Sequence, residues 1–224
     1  MTAFPQPSSK QKKIYTATLL LSLAAVVVTI FLLEAHFKPS EGGSFCNIND
    51  YWNCDRVNKS IFAEIFGIPM SVLGFGFYTF FSLTLFGLIK NFNFSKYLHK
   101  IGFSNILKIT LAGTLLASLC LMFYETTILG NLAYIGIIKA IIFITTYIAT
   151  FKFAQKHDRP VVYFMAFLQL LTLFGMDFTL YLTNVEFFVL EAVCIFCITQ
   201  QILLAIITGF TTKALLNSPN EHTA

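Results

Sequence analysis

The stretch IYTATLLLSLAAVVVTIFLL, residues 14–33, decides the fold. It has no charged side chain, and a helix crossing the hydrocarbon core of a bilayer needs about 20 such residues. A signal peptide has a shorter apolar core, and no small-residue cleavage site follows this run, so the segment is expected to stay as an anchor. Working outward, further apolar stretches of similar length recur, and the expected spans are residues 14–34, 68–89, 104–124, 132–151, 160–182 and 187–211. The whole 224-residue chain agrees, with 56% hydrophobic residues, 12% charged ones and a mean hydropathy of +0.73. Such a composition cannot furnish a water-facing surface. The expected fold class is an all-α integral membrane protein with six transmembrane helices, a single membrane domain over residues 1–224.

A net charge of +4 might point to nucleic acid, but the basic residues are scattered singly between apolar runs and form no basic face. No nucleic-acid partner is expected. The same residues set the topology instead: Lys10, Lys12 and Lys13 precede the first span, and Lys90, Lys96, Lys100 and Lys108 lie around the second connection. Lys152, Lys156 and Arg159 lie around the fourth connection, and Lys213 follows the sixth span. Basic loops stay cytoplasmic, so both termini are expected inside. The acids agree, with Glu34, Glu41, Asp50, Asp55, Glu64, Glu125, Asp177, Glu186 and Glu191 outside and only Asp158 and Glu221 inside.

This topology puts CNINDYWNC, residues 46–54, outside, in a loop over residues 35–67. Cys194 and Cys197 of the motif CIFC then fall in the outer half of the sixth span, two to three turns from its start. Four thiols thus face one side, where compartments are oxidising. In the segment NKSIFAEIFGIP, Asn58 or Ser60 is expected to cap a short helix bearing Ile61, Phe62, Ile65 and Phe66. Gly67 would stop it and Pro69 would begin the next span, leaving the helix as a roof over the bundle.

A C-x-x-C pair supports redox exchange, because one thiolate attacks or is attacked while its neighbour stands ready to close the disulfide. Help from the helix dipole is expected to be weak, with Cys194 beyond the first turn. A pair held at a membrane interface suggests an electron acceptor that dissolves in lipid, and quinone fits. Zinc is disfavoured: the seven-residue separation of Cys46 and Cys54 is wide for a chelating half, and the compartment is oxidising. A purely structural Cys46–Cys54 disulfide is the plainer reading of the loop. Cys120 is expected as a small buried apolar residue, and Trp52 as an interfacial anchor. Lys139, inside the fourth span, is expected to face another helix or to snorkel. Glu191, one turn before Cys194, is expected as a satisfied interfacial carboxylate, with a proton relay as the alternative, and Asp177 has the same two readings.

Together, CNINDYWNCDRVNKSIFAEIFGIPMSVLG (residues 46–74) and YLTNVEFFVLEAVCIFC (residues 181–197) resemble the vitamin K epoxide reductase family, which includes bacterial quinone-linked disulfide oxidases. The resemblance implies that Cys194 and Cys197 are the active pair, with Cys197 reacting with quinone, ubiquinone or menaquinone. It implies that Cys46 exchanges with a separate DsbA-like thioredoxin-fold protein, no thioredoxin domain being fused here, and that Cys54 passes electrons to Cys194. Ser60, Phe66, Met70 and Gly74 would surround or support the quinone. The family core would be the first, second, fifth and sixth spans, a four-helix bundle, with residues 104–152 as an inserted hairpin. The implied location is a bacterial inner membrane with the cysteines on the periplasmic side. Met70 stands where the animal enzymes carry an amide, and Gln201 where they carry a tyrosine. Reoxidation of a partner protein is therefore expected over the alternatives, reduction of vitamin K or its epoxide and a non-catalytic protein with structural disulfides.

Overall fold

A computed structural model describes residues 7–38, 46–90, 102–130 and 133–218. Residues 39–45 of the cysteine loop, with Glu41, and Lys96, Lys100 and Glu221 of the topology argument lie outside the described residues. The described residues are all-α apart from one minute strand pair. Its elements are α1 (Ser9–Phe37), α2 (Cys54–Asn58), a 3-10 turn (Ile61–Ala63), β1 (Glu64–Ile65), β2 (Ile68–Pro69) and α3 (Met70–Ile89). There follow α4 (Phe103–Leu129), α5 (Ala133–His157), α6 (Pro160–Val185), a wide π-type turn (Glu186–Leu190) and α7 (Ile195–Asn217). Six of these helices, α1 and α3 to α7, are long and apolar enough to cross a membrane.

Most spans are the apolar centres of longer helices. In α1 the Ser8 hydroxyl accepts the Gln11 N–H at 3.3 Å, so the helix begins in the polar flank, ahead of the apolar run. Two departures are larger. The sixth span does not begin at residue 187: α6 and its wide turn carry on to Leu190, and α7 starts at Ile195. Glu191 breaks the helix with a left-handed backbone (φ +49°), after which Val193 pairs in extended form with the cysteine loop. The expected roofing helix over residues 61–66 is also replaced. There the chain makes the 3-10 turn and an antiparallel hairpin whose two-residue turn, Phe66–Gly67, has φ of +51° and +77°. Positive φ at both central residues gives the turn whose twist suits a tight hairpin, and Gly67 supplies it at no steric cost.

Helices α1, α3, α6 and α7 make a bundle: α3 packs on α1, α1 on α7 and α7 on α6. Polar side chains join them inside the apolar core, where no water competes. Ser22 and Ser82 hydroxyls meet at 2.8 Å between α1 and α3, and the Gln169 amide donates to Thr212 at 2.8 Å between α6 and α7. Gly74 lets α1 and α3 approach, since a Cβ there would lie 3.3 Å from the Thr29 methyl. Helices α4 and α5 pack on each other and on the outer side of α6. Large apolar side chains such as Leu20, Leu83, Ile109 and Phe123 are exposed around the outside, as a bilayer requires.

Candidate redox site

The site is built at the end of the bundle where α1 finishes and α7 starts. Asn53 caps α2, its side chain accepting the Arg56 N–H at 2.9 Å, and so fixes Cys54 as the first helical residue. Cys54 is disulfide-bonded to Cys46, with Cα atoms 5.8 Å apart. Asn47 and Asp55 brace this loop in both directions: the Asn47 amide donates to the Asp55 carboxylate at 2.9 Å, and the Asp55 N–H donates to Asn47 at 3.2 Å. The roof is tied down by Asn58, which donates to the Leu32 carbonyl at 2.7 Å, and by His36, whose Nδ1 meets the Asn58 carbonyl at 2.6 Å.

The loop is docked onto the other pair through backbone. Val193 N–H donates to the Tyr51 carbonyl at 2.7 Å, and Asn53 N–H donates to the Val193 carbonyl at 3.1 Å. The residues next to these are Cys54 and Cys194, and both are fully buried in one apolar cluster with Cys46, Leu32, Val57 and Ala192, against which Cys197 packs. Cys194 and Cys197 are free thiols. Cys194 is not two turns inside a helix but is the N-cap of α7, its sulfur accepting the Cys197 N–H at 3.4 Å. The helix dipole therefore acts at full strength here, with its positive end directed at the Cys194 sulfur.

Beneath the roof, inside the bundle, lies a cavity of about 470 Å³. Its walls come from α1, α3, α6, α7 and the roof and are overwhelmingly apolar, with Phe62, Phe77, Phe174 and Phe178 among them. None of the described residues of α4 and α5 lines it. Cys197 does, and so do the expected Ser60, Met70 and Gly74. Phe66 does not: it stands at the tip of the hairpin turn, fully exposed, and Phe62 takes the lining position instead. Two lining polar atoms, Ser71 Oγ and Gln200 Oε1, are buried without a hydrogen-bond partner, although the Gln200 amide nitrogen donates to the Ala25 carbonyl at 3.1 Å. Gln201 accepts from the Thr183 hydroxyl at 2.9 Å.

Other expectations change. Glu191 is exposed in the link before α7, and the carboxylate at the cysteines is that of Glu186 in the wide turn, buried and accepting the Cys194 N–H at 3.1 Å. Cys120 is exposed on α4 rather than buried. Lys139 is buried, ion-paired to Glu125 at 2.7 Å and to Asp177 at 3.2 Å, so it faces other helices and does not snorkel. Glu186, Ser71 and Gln200 are the lining residues that the sequence reading missed. Ser71 and Gln200 carried no motif, and finding Glu186 required knowing that the helix breaks at Glu191.

The chain matches the vitamin K epoxide reductase family over residues 16–151, a segment that holds Cys46, Cys54, Ser60, Met70 and Gly74 and ends before Cys194. No curated protein and no solved structure matches it.

Proposed function

The chain belongs to the vitamin K epoxide reductase family, and on that premise we propose that it is a thiol oxidoreductase that takes electrons from a DsbA-like thioredoxin-fold partner and delivers them to quinone. The observation that carries this reading is the nesting of two cysteine pairs in one apolar cluster, with Cys197 alone of the four opening onto an apolar cavity. The partner's dithiol attacks the Cys46–Cys54 disulfide at Cys46 and leaves oxidised, so that Cys46 and Cys54 become thiols. The Cys54 thiolate then attacks Cys194 of an oxidised Cys194–Cys197 pair and expels the Cys197 thiolate. Cys46 attacks Cys54 in turn, which restores the outer disulfide and frees Cys194. The reduced inner pair gives two electrons and two protons to quinone and closes again as a disulfide.

Quinone suits the cavity because its head is flat and apolar with two oxygens: the unpartnered Ser71 hydroxyl can donate to a quinone oxygen, and the unpartnered Gln200 Oε1 can accept the O–H of the quinol product. An isoprenoid tail, of ubiquinone or menaquinone, would run from the cavity to lipid between helices of the bundle. In this reading α1, α3, α6 and α7 are the family bundle, and the hairpin over residues 104–152 is an addition. Lys10, Lys12, Lys13, Lys90, Lys108, Lys152, Lys156, Arg159 and Lys213 flank the ends of the spans opposite the cysteines, against Lys38, Arg56 and Lys59 on the cysteine side, and this excess fits a bacterial inner membrane with cytoplasmic termini and periplasmic thiols. A periplasmic oxidant needs an acceptor more oxidising than itself, and quinone supplies one.

The relay is tested by the triple variant Cys46→Ala, Cys120→Ala, Cys197→Ala, which keeps only the two cysteines that exchange. Mild oxidation is expected to join Cys54 to Cys194, seen as one cross-linked peptide pair by mass spectrometry. Both thiols remaining alkylatable would end the proposal of direct transfer between the pairs.

A further inference from the structure

We propose that the Glu186 carboxylate is the general base of the quinone step, taking the proton of the Cys197 thiol and passing it to a quinone oxygen. This rests on the quinone reading of the cavity. Glu186 is only 3% exposed and lies in the wide turn that follows α6. Its Oε2 accepts the Cys194 N–H at 3.1 Å, and the Cys197 N–H in turn meets the Cys194 sulfur at 3.4 Å, so the carboxylate stands at the thiol pair. Glu186 and Cys197 line the cavity together. One buried carboxylate therefore stands beside the reacting thiol pair and faces the space where the oxidant sits, which is the placement proton transfer requires.

The balance is complete. The Cys197 S–H bond breaks and its proton goes to Glu186. As the Cys194–Cys197 bond forms, the electron pair of the dithiol passes to the quinone. Glu186 returns its proton to one quinone oxygen, and the Cys194 proton completes the quinol at the other. Dithiol and quinone become disulfide and quinol, and Glu186 ends as it began.

The elements packed on the turn bring other titratable and charged groups. Helix α7 brings the two thiols. Helix α6 brings Asp177 and Tyr181, and α4 brings Glu125 and Tyr124; Asp177 and Glu125 are held by Lys139, which also stands 5.9 Å from the Tyr181 ring, and Tyr124 packs on Tyr181. Helix α2 brings Asp55, paired with Lys59 at 3.9 Å, and Arg56, on the exposed side. Glu191 is exposed.

A carboxylate kept here only to cap the chain before α7 would be replaced without loss by glutamine, which still accepts the Cys194 N–H. The experiment is a single turnover of reduced protein with a short-chain ubiquinone in detergent, from pH 6 to 9, for the parent, Glu186→Gln and Glu186→Asp. The expected result is a Glu186→Gln rate lower by about 100-fold or more at neutral pH, with KM for quinone unchanged. That deficit should narrow as pH rises and solvent takes over the proton, while Glu186→Asp retains part of the parent rate. A Glu186→Gln enzyme with the parent's rate and pH profile overturns the proposal and leaves the quinone reading standing. A parent that never reduces quinone overturns both.

Discussion

Ser71 Oγ and Gln200 Oε1 are the polar atoms left open in an apolar cavity, the first able to donate one hydrogen bond to a bound quinone and the second to accept one from the quinol. Ser71→Ala removes a donor of about 1 kcal/mol, so KM for quinone should rise roughly fivefold in steady-state assays while the reactivity of Cys46 and Cys54 toward the partner stays as it was. Phe66→Ala should leave that KM unchanged, because its ring lies wholly outside the cavity. A rise comparable to that of Ser71→Ala would put Phe66 back against the quinone. At this scale the sequence was informative wherever a residue belongs to a motif. The four cysteines, Ser60, Met70 and Gly74 could be picked out by spacing and resemblance, and all lie in the thiol cluster or the cavity wall. Glu186 could not. Counting one turn back from Cys194 leads to Glu191, which is right only for a continuous helix, and the left-handed backbone at Glu191 breaks it.

The break is an example of what remains hidden at the scale of elements. The run from residue 187 to residue 197 is apolar and contains neither glycine nor proline, so no local signal ends one helix and starts the next. The pairing of Val193 with Tyr51 and Asn53, a contact from the far end of the chain, accompanies the extended link there. The roof was misread for a related reason: the hairpin turn needs a positive φ at Phe66 as well as Gly67, and phenylalanine does not advertise it. The α4–α5 hairpin is fastened to α6 by ionic contacts in the membrane interior, with Lys139 between Glu125 and Asp177, Asn184 donating to Glu125 and Ser118 to Asp177. Gly136 makes room for this, since a Cβ there would lie 3.1 Å from the Glu125 carboxylate. Lys139→Met strands two buried carboxylates and should cost about 3–5 kcal/mol, read as a lowered melting temperature in detergent. Adding Glu125→Gln and Asp177→Asn should recover most of the loss. Because the hairpin lines no part of the cavity, turnover per folded molecule with a small dithiol should change little in the triple variant.

At the scale of the whole molecule, the six-span architecture was plain from the sequence, because twenty-residue apolar runs and singly placed lysines leave few alternatives. The membrane oxidoreductase class follows from the family. What the sequence could not supply was the arrangement that makes two cysteine pairs a relay, since Cys54 and Cys194 are 140 positions apart and meet only when the loop pairs with Val193. In the proposed relay that docking separates two tasks, exchange of the outer pair with a protein and of the inner pair with a lipid-soluble molecule. The most direct measurement is quinone reduction by the purified protein in detergent, driven by a reduced DsbA-like donor, for the parent, Cys197→Ala and Cys46→Ala. The account predicts turnover by the parent, none by Cys197→Ala with any donor, and rescue of Cys46→Ala by a small dithiol but not by the protein donor. Quinone left unreduced by every dithiol, with the thiols unchanged, would contradict it and leave the cysteines as structural.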